Sequence, residues 1–290
     1  MLRAALVAGS VAVALPAAGQ APDIASVPAD LSVPVAEQGA PAAGKRMFYR
    51  LPGDPESVPP LVLYLPTDWV PGKRFPVLCE YAGNGHYRNA YGDISTGRPE
   101  DSRIGYGLSG GRGFIWVCLP FLNDAGDAVA LTWWGDPPTH RPDATVAYAK
   151  RAVPAICAAF SGDPERVILC GFSRGAIACN AIGLHDDAIA KLWRGFVCYS
   201  HYDGVRSWPF AGSDRASALT RLRRLGSRPQ FLCQEGTGTD ATRAYLESSG
   251  VVGRFTFQAT GFRNHNDAWL LRPSPTRDAA REWLSRVSKP

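Results

Sequence analysis

The sequence has no pair of cysteines at the C-x-x-C spacing that zinc sites and redox-active disulfides use. All seven of its cysteines lie in apolar stretches. Five are in predicted strands and two in predicted helices: Cys79, Cys118, Cys170, Cys198 and Cys233, then Cys157 and Cys179. Because free cysteine behaves as a small buried hydrophobic residue, we expect mostly buried thiols and at most one disulfide. We expect neither a metal site nor a cofactor.

Long hydrophobic runs and a strong charge of one sign are also lacking. After residue 21 no apolar stretch approaches the roughly 20 residues that span a bilayer. The formal net charge is only +5, and the main basic cluster, at 215–228, lies on or beside one predicted helix, as a solvated helix face would. We therefore expect neither nucleic-acid binding nor stable membrane insertion. The oligomeric state stays open.

The N-terminal residues have the composition of a secretory signal peptide. Arg3 precedes an apolar run from Ala4 to Leu15, and small residues follow as far as Ala21. We predict a signal peptide over residues 1–21 and a protein that is secreted or periplasmic after cleavage. Residues 22–44 are rich in proline and alanine and lack periodicity, which predicts a flexible leader before a single domain at 45–290.

From about residue 60, predicted strands alternate with predicted helices. Apolar runs predict strands at 61–65, 75–81, 114–119, 167–170, 196–200, 230–234 and 254–259. Helical spacing predicts helices at 143–160, 176–182, 214–225, 239–248 and 275–287. Such alternation indicates an α/β fold, with a mostly parallel central sheet and helices on both faces. In such a sheet, functional side chains gather at the carboxyl ends of the strands.

One stretch combines a buried strand, a tight turn and a helix. The apolar run at 167–170 leads into a G-x-S-x-G pentapeptide, Gly171 to Gly175, and small or apolar residues follow it. A serine on a strained strand-to-helix corner needs neighbours without bulk two residues before and after it, and the two glycines meet that need. A second match, around Ser109, precedes a predicted strand. We therefore interpret Ser109 as a loop residue and Ser173 as the candidate nucleophile.

A serine hydroxyl attacks an acyl carbon efficiently only when a histidine takes its proton and a carboxylate orients that histidine. His265 lies in the loop after the last predicted strand, from which an imidazole can reach back over the serine turn. Asp240 lies where the loop after the penultimate strand enters a helix, and we favour it as the acid. Aspartate at such a position is also an ordinary helix N-cap. Asp203 and then Glu235, each after a predicted strand, are the alternatives.

Negative charge that develops on the carbonyl oxygen needs two positioned hydrogen-bond donors, together called the oxyanion hole. We predict that the backbone N–H of Arg174 is one donor. The loop after strand 75–81 should supply the other, and there we favour Asn84 over Gly83.

Aromatic side chains in the loops at the same sheet edge are candidates for substrate binding, although each is also a candidate for the core. The residues chosen are Tyr81, Trp133, Trp134 and His201. Aromatic faces beside polar groups suit sugar rings, phenolic acids or a polyester chain.

With these residues assembled, the chain resembles the α/β-hydrolase superfamily. The stretch Asp163 to Gly175 is similar to the nucleophile region of secreted esterases of the feruloyl esterase and polyhydroxybutyrate depolymerase type, and of prolyl-oligopeptidase-like hydrolases. Residues 63–66 and 75–78 resemble the strand pair before the oxyanion loop of that group. The resemblance covers about residues 46–288. It implies the order serine, aspartate, histidine, which Ser173, Asp240 and His265 match.

Two positions depart from the pattern of that family. The stretch Tyr81 to Asn84 stands where its members usually have His-Gly, and Arg174 stands where many have a smaller or apolar residue. The resemblance implies a serine hydrolase that cleaves carboxylic esters through an acyl-enzyme, and we expect a small-molecule or polysaccharide-linked ester as substrate. A peptidase on the same fold and a catalytically silent glycan-binding protein are the alternatives.

Overall fold

An eight-stranded sheet forms the centre of the molecule. The computed structural model describes residues 21–289. In chain order the strands of this part are β1 (Arg46–Tyr49), β2 (Leu61–Tyr64), β3 (Phe75–Tyr81), β4 (Tyr87–Arg88), β5 (Ile94–Ser95), β6 (Ile115–Leu119), β7 (Gly162–Phe172), β8 (Gly195–Tyr199), β9 (Pro229–Gln234) and β10 (Arg254–Ala259). Strands β4 and β5 pair only with each other, as a small hairpin outside the large sheet.

Helices connect the strands. In chain order those of the described residues are α1 (Ile104–Ser109), α2 (Asp143–Phe160), α3 (Arg174–Ala181), α4 (Asp187–Ala190), α5 (Arg215–Leu222), α6 (Asp240–Ser249) and α7 (Pro275–Val287). A short 3-10 helix, Asp267–Leu271, precedes α7. None of the helices between residues 21 and 289 is both long and apolar enough to cross a membrane.

The order of strands across the sheet is β1-β2-β6-β3-β7-β8-β9-β10. Strand β2 is antiparallel to both of its neighbours, and every other neighbouring pair is parallel. Apolar side chains alternate between the two faces of the sheet, so Val167 and Leu169 belong to one core while Ile168 and Cys170 belong to the other. Helices α2 to α6 cover the first face, and α1 and α7 cover the second. The predicted α/β fold is confirmed.

The register of the parallel strands brings their carboxyl ends together. Tyr81 at the end of β3 pairs with Gly171, and Tyr199 at the end of β8 pairs with both Phe172 and Cys233. The loops that follow β3, β7, β8, β9 and β10 therefore start side by side, which is where the functional site was expected.

Buried thiols fill positions in the sheet and its covering helices. All seven cysteines are free and buried, five of them in strands and two, Cys157 and Cys179, in helices. Burial raises the pKa of the Cys157 thiol to about 11, so this side chain is an uncharged core residue at neutral pH. The expectation of mostly buried thiols is confirmed, and none of them forms a disulfide.

Residues 22–44 differ from the predicted flexible leader. The segment has little regular structure, but Ile24 is buried and its backbone N–H donates to Asn264 Oδ1 at 2.7 Å. Further along, the Arg277 guanidinium donates to both carboxylate oxygens of Asp30, one at 2.8 Å. Composition did not reveal these contacts, because their partners lie more than 200 positions away in the chain. The predicted signal peptide lies outside the described residues except for Ala21, so export stays a prediction.

Several short elements carry no clear sequence signal. Strand β1, helices α1 and α4 and the β4-β5 hairpin were not predicted. Ser109 is the last residue of α1 and not a loop residue, and its hydroxyl donates to Gly105 O at 2.8 Å. The hydroxyl of this second G-x-S-x-G match is thus engaged within its own helix.

Candidate active site

Ser173 occupies a tight corner between β7 and α3. Its backbone has φ 54° and ψ −113°, a conformation that non-glycine residues rarely adopt. A Cβ atom on Gly171 would lie 2.2 Å from the Gly175 carbonyl carbon, and one on Gly175 would lie 2.0 Å from Tyr81 O. Both positions therefore need glycine, as the pentapeptide predicted. The serine N–H donates to Tyr199 O at 2.9 Å, which ties the corner to the neighbouring strand.

His265 joins this serine to a carboxylate. The distance from Ser173 Oγ to His265 Nε2 is 3.0 Å, and from His265 Nδ1 to Glu235 Oε1 it is 2.8 Å. The hydroxyl of Ser200, directly after β8, donates to Glu235 Oε1 at 3.1 Å and lies 2.9 Å from the same Nδ1 atom. Serine, imidazole and carboxylate thus form one continuous hydrogen-bonded chain.

The carboxylate in this chain is not the one that sequence reasoning favoured. Asp240 is the exposed first residue of α6 and makes no hydrogen bond to His265. Asp203 is buried, and Arg221 donates to its two carboxylate oxygens at 2.8 and 3.0 Å. The structure therefore brings Ser173 and His265 together as predicted, but it replaces Asp240 with Glu235, the third choice.

Chain geometry explains why Glu235 is the partner. It is the first residue after β9, so its backbone is still held at the sheet edge, whereas Asp240 lies five positions further along. Two backbone hydrogen bonds, Thr260 N to Gln234 O at 2.8 Å and Gly236 N to Phe262 O at 2.6 Å, tie this end of β9 to the loop that carries His265. Its position directly after a predicted strand is the signal in the sequence that could have identified Glu235.

The electrostatics of the site keep Glu235 charged and His201 neutral. Burial acts to raise the pKa of Glu235, but the hydrogen bond and charge of His265 and the Ser200 hydroxyl outweigh it, so this pKa lies below its ordinary value. Burial, followed by the charge of His265, lowers the pKa of His201 to about 4. At neutral pH, Glu235 is thus a carboxylate and the His201 ring is uncharged.

A buried aspartate in the β4-β5 hairpin holds the loop of His265. Asp93 accepts from the His265 backbone N–H at 3.0 Å and from the side-chain amides of Asn264 at 3.0 Å and Asn266 at 3.2 Å. Asn89 donates to it at 2.8 Å from within the hairpin. Sequence reasoning missed Asp93, because nothing in the pattern pairs residues about 170 positions apart.

We expect Asp93→Asn to lower kcat about 100-fold, because the new amide places a donor against the donors of the His265 loop and displaces the imidazole from Ser173. Asp68→Asn is the matched control. That carboxylate also accepts from a backbone N–H, of Gly113 at 2.8 Å, but before β6 at the opposite sheet edge. Steady-state kinetics on p-nitrophenyl acetate checks this, and equal kcat values for the two variants would contradict the role of Asp93.

The two predicted oxyanion donors belong to the start of α3 and to the loop after β3. The backbone N–H of Arg174 belongs to the first turn of α3, where N–H groups have no partner within the helix. Asn84 follows β3, and its Oδ1 accepts from the Trp133 N–H at 2.7 Å. This contact engages only the acceptor of the Asn84 side chain, so the choice between the Asn84 and Gly83 donors stays a prediction.

The predicted substrate contacts divide into two groups. Tyr81 and Trp134 have no exposed surface, because Tyr81 stacks on Phe121 inside the sheet core and Trp134 packs against the same ring. Neither side chain can contact a substrate, which corrects the prediction for both. Trp133 retains 9% of its surface, and the His201 ring lies 5.2 Å from that of His265.

Other aromatic side chains surround His265. Tyr87 of the hairpin packs edge-on at 4.9 Å, and Phe172 lies at 4.7 Å between ring centroids. Trp208, which is partly exposed, lies 5.0 Å from His201 and 5.6 Å from Trp133. Trp208 was not among the predicted substrate contacts. It follows no strand directly, and the loop around it is polar and contains proline.

The mostly parallel sheet, the antiparallel β2 and the serine corner after β7 define the α/β-hydrolase fold. An S-formylglutathione hydrolase from Agrobacterium tumefaciens superposes with a TM-score of 0.59 at 16% identity, over 89% of this chain and 100% of the other. The esterase Est22 superposes with a TM-score of 0.50 at 16% identity, over 85% of this chain and 80% of the other.

A dipeptidyl aminopeptidase IV from Bacteroides ovatus shares this fold within a longer chain. Its TM-score is 0.52 at 12% identity, over 78% of this chain and 33% of the other. Identities this low establish a common fold and no more. The sequence matches no protein-family model and no curated protein sequence.

Proposed function

We propose that this protein is a serine hydrolase that cleaves carboxylic esters through an acyl-enzyme. The observation that carries the proposal is the hydrogen-bonded chain from Ser173 through His265 to Glu235. Its serine lies on a strained corner at the carboxyl edge of the sheet. A nucleophile, a base and an orienting acid in this order are the set that acyl transfer requires.

In the first half-reaction, Ser173 Oγ forms a bond to the carbonyl carbon of the ester while His265 Nε2 takes the hydroxyl proton. The imidazolium that results is stabilised by the Glu235 carboxylate at its Nδ1. The negative charge on the former carbonyl oxygen is met by the Arg174 N–H and by a donor from the loop after β3. The C–O bond to the alcohol then breaks, and the alcohol leaves with the proton from His265.

In the second half-reaction, water attacks the acyl group on Ser173. His265 takes a proton from this water, and the same donors stabilise the second oxyanion. When the bond to Ser173 breaks, His265 returns a proton to the serine oxygen. The carboxylic acid leaves, and the enzyme returns to its starting state without a cofactor.

The surroundings of His265 favour an ester that carries an aromatic or sugar ring. Tyr87 and His201 lie against the imidazole, and the partly exposed Trp208 lies beyond His201. Such flat faces bind rings well, especially beside polar groups. We therefore propose small-molecule or polysaccharide-linked esters as the substrate class. The composition of residues 1–21, which resembles a signal peptide, supports a secreted or periplasmic protein.

A fluorophosphonate probe tests the nucleophile, because it reacts covalently with an activated serine. We expect the wild type to be labelled and Ser173→Ala to be unlabelled. Ser109→Ala, in the second G-x-S-x-G match, is the control and should be labelled like the wild type. Failure of the folded wild type to react would reject the proposed function.

A panel of acetyl, feruloyl and uronate esters beside short peptides then defines the bond that is cleaved. Turnover of the peptides alone would make the chain a peptidase. Binding of glycans without turnover of any ester would make it a silent glycan-binding protein.

A further inference from the structure

The side chain of Arg174, the residue after the nucleophile, is buried inside the protein. Only 1% of its surface is exposed. All of its hydrogen bonds go to backbone carbonyls: Nη1 donates to Ala130 O at 2.9 Å and to Trp133 O, while Nη2 donates to Gly83 O at 3.0 Å and to Gly97 O at 3.2 Å. No carboxylate within residues 21–289 forms an ion pair with it.

These carbonyls belong to three separate stretches of loop. Gly83 lies in the oxyanion loop after β3, Gly97 follows the hairpin whose Asp93 holds His265, and Ala130 and Trp133 lie in the loop after β6. One guanidinium therefore links all three loops to the corner that carries the serine.

The guanidinium group suits this position better than other side chains. It is planar and presents five donors in a fixed arrangement, so it can reach several carbonyls at once. The carbonyl dipoles solvate its charge where water is excluded, and its Cζ lies 4.0 Å from the centre of the Phe121 ring. Such a charge is expensive to bury unless its hydrogen bonds are made, so the loops are held in the one arrangement that makes them.

We propose that the Arg174 side chain is a positioning residue for the oxyanion hole. Its backbone N–H supplies one donor, and its guanidinium fixes the loop that supplies the other by holding Gly83 O at 3.0 Å. A donor group has to be in place before charge develops on the carbonyl oxygen, because reorganisation during the reaction adds to the barrier. The inference rests on the proposed ester hydrolysis and adds a residue that acts through the oxyanion loop.

The chain offers a matched control in Arg46. This arginine is 4% exposed, donates to the backbone carbonyls of Pro34 at 3.2 Å and Ser102 at 3.3 Å, and lies over the Trp116 ring at 4.4 Å. It forms no ion pair within the described chain either. It lies on β1, the outermost strand, which β2, β6 and β3 separate from the strand that leads to Ser173. Its loss should therefore lower stability without affecting the chemistry.

The test compares Arg174→Gln with Arg46→Gln. We expect both substitutions to lower Tm, since each removes a buried hydrogen-bonding group. Only Arg174→Gln should lower kcat, by about 10^2 to 10^3, the effect of losing one oxyanion donor, with KM little changed. Inhibition by a trifluoromethyl ketone, whose adduct with Ser173 carries an oxyanion, should weaken by the same factor as kcat/KM.

If Arg174→Gln loses stability as Arg46→Gln does but keeps its kcat and its affinity for the ketone, Arg174 has a structural role alone and the inference is wrong. If Arg174→Gln does not fold, Arg174→Lys takes its place, because lysine keeps the charge and part of the contacts, and it should show the same selective loss of kcat. A wild type that turns over no ester would instead reject the proposed function.

Discussion

We expect replacement of Ser173 with alanine to lower kcat for the proposed ester hydrolysis by about 10^6-fold, because no other hydroxyl lies within reach of His265 Nε2 in the part of the chain that the structure describes. Replacing His265 with alanine should have an effect of the same size, since the serine would then have no base. The double substitution costs little more than either one alone, because nucleophile and base act as a unit. Single-turnover measurements on p-nitrophenyl acetate compare the rates of the wild type, the two single variants and the double variant.

Additive losses in the double variant would mean that the two side chains act independently, which the 3.0 Å contact between them opposes. Ser109→Ala again provides the control. Its hydroxyl is bonded to Gly105 O within α1, so kcat should be unchanged. Loss of activity in Ser109→Ala, with Ser173→Ala still active, would make Ser109 the nucleophile and overturn the assignment of Ser173.

We expect replacement of Glu235 with glutamine to lower kcat by about 10^4-fold. The amide is nearly the same size as the carboxylate, but it is neutral and cannot stabilise the His265 imidazolium. Where its NH2 group faces Nδ1, it also favours the wrong tautomer of the ring. The carboxylate is charged at neutral pH, because its pKa lies below the ordinary value. The loss should therefore extend over the whole neutral range and should not be recovered by raising the pH.

Two further substitutions separate Glu235 from the other candidate acids. Asp240→Asn should keep the wild-type kcat, because that side chain is exposed at the start of α6. Asp203→Asn should lower Tm, since it breaks the buried pair with Arg221, an effect of about 3 to 5 kcal/mol on the free energy of unfolding. Its folded fraction should still turn over ester normally. A kcat for Asp240→Asn as low as that for Glu235→Gln would contradict the assignment of the acid.

Much of the fold could be predicted because its signals are local. The helix at 143–160 and the strands at 75–81 and 254–259 have the predicted limits, since a long apolar periodicity or a short apolar run depends only on neighbouring residues. Short elements such as β1 and α1 gave no comparable signal, because packing against the sheet stabilises them more than their own sequence does.

The site was predictable in part for the same reason. Ser173 could be found because strand, corner and helix are consecutive in the chain, and His265 because it follows the last strand. The choice among Asp240, Asp203 and Glu235 could not be made locally. It depends on which carboxylate the loops after β9 and β10 bring within hydrogen-bonding distance of Nδ1, and the backbone bonds between these loops determine that.

The sequence also could not show that Tyr81 and Trp134 are buried. Both lie at the edge where ligands bind in this fold, and an aromatic ring there can face a substrate or the core. Packing against Phe121 places both of them in the core. The partly exposed Trp208 instead lies beside His201, near the serine.

The α/β architecture, the glycines that allow a serine corner, and the candidate nucleophile and base could be read from the sequence, because each of these depends on residues close together in the chain. The tertiary structure alone decided that Glu235 is the partner of His265, that Asp93 holds the histidine loop, and that the Arg174 guanidinium ties three loops to the nucleophile corner. These are contacts between residues about 30 to 170 positions apart, and no local pattern encodes which distant groups a parallel sheet will bring to the same edge.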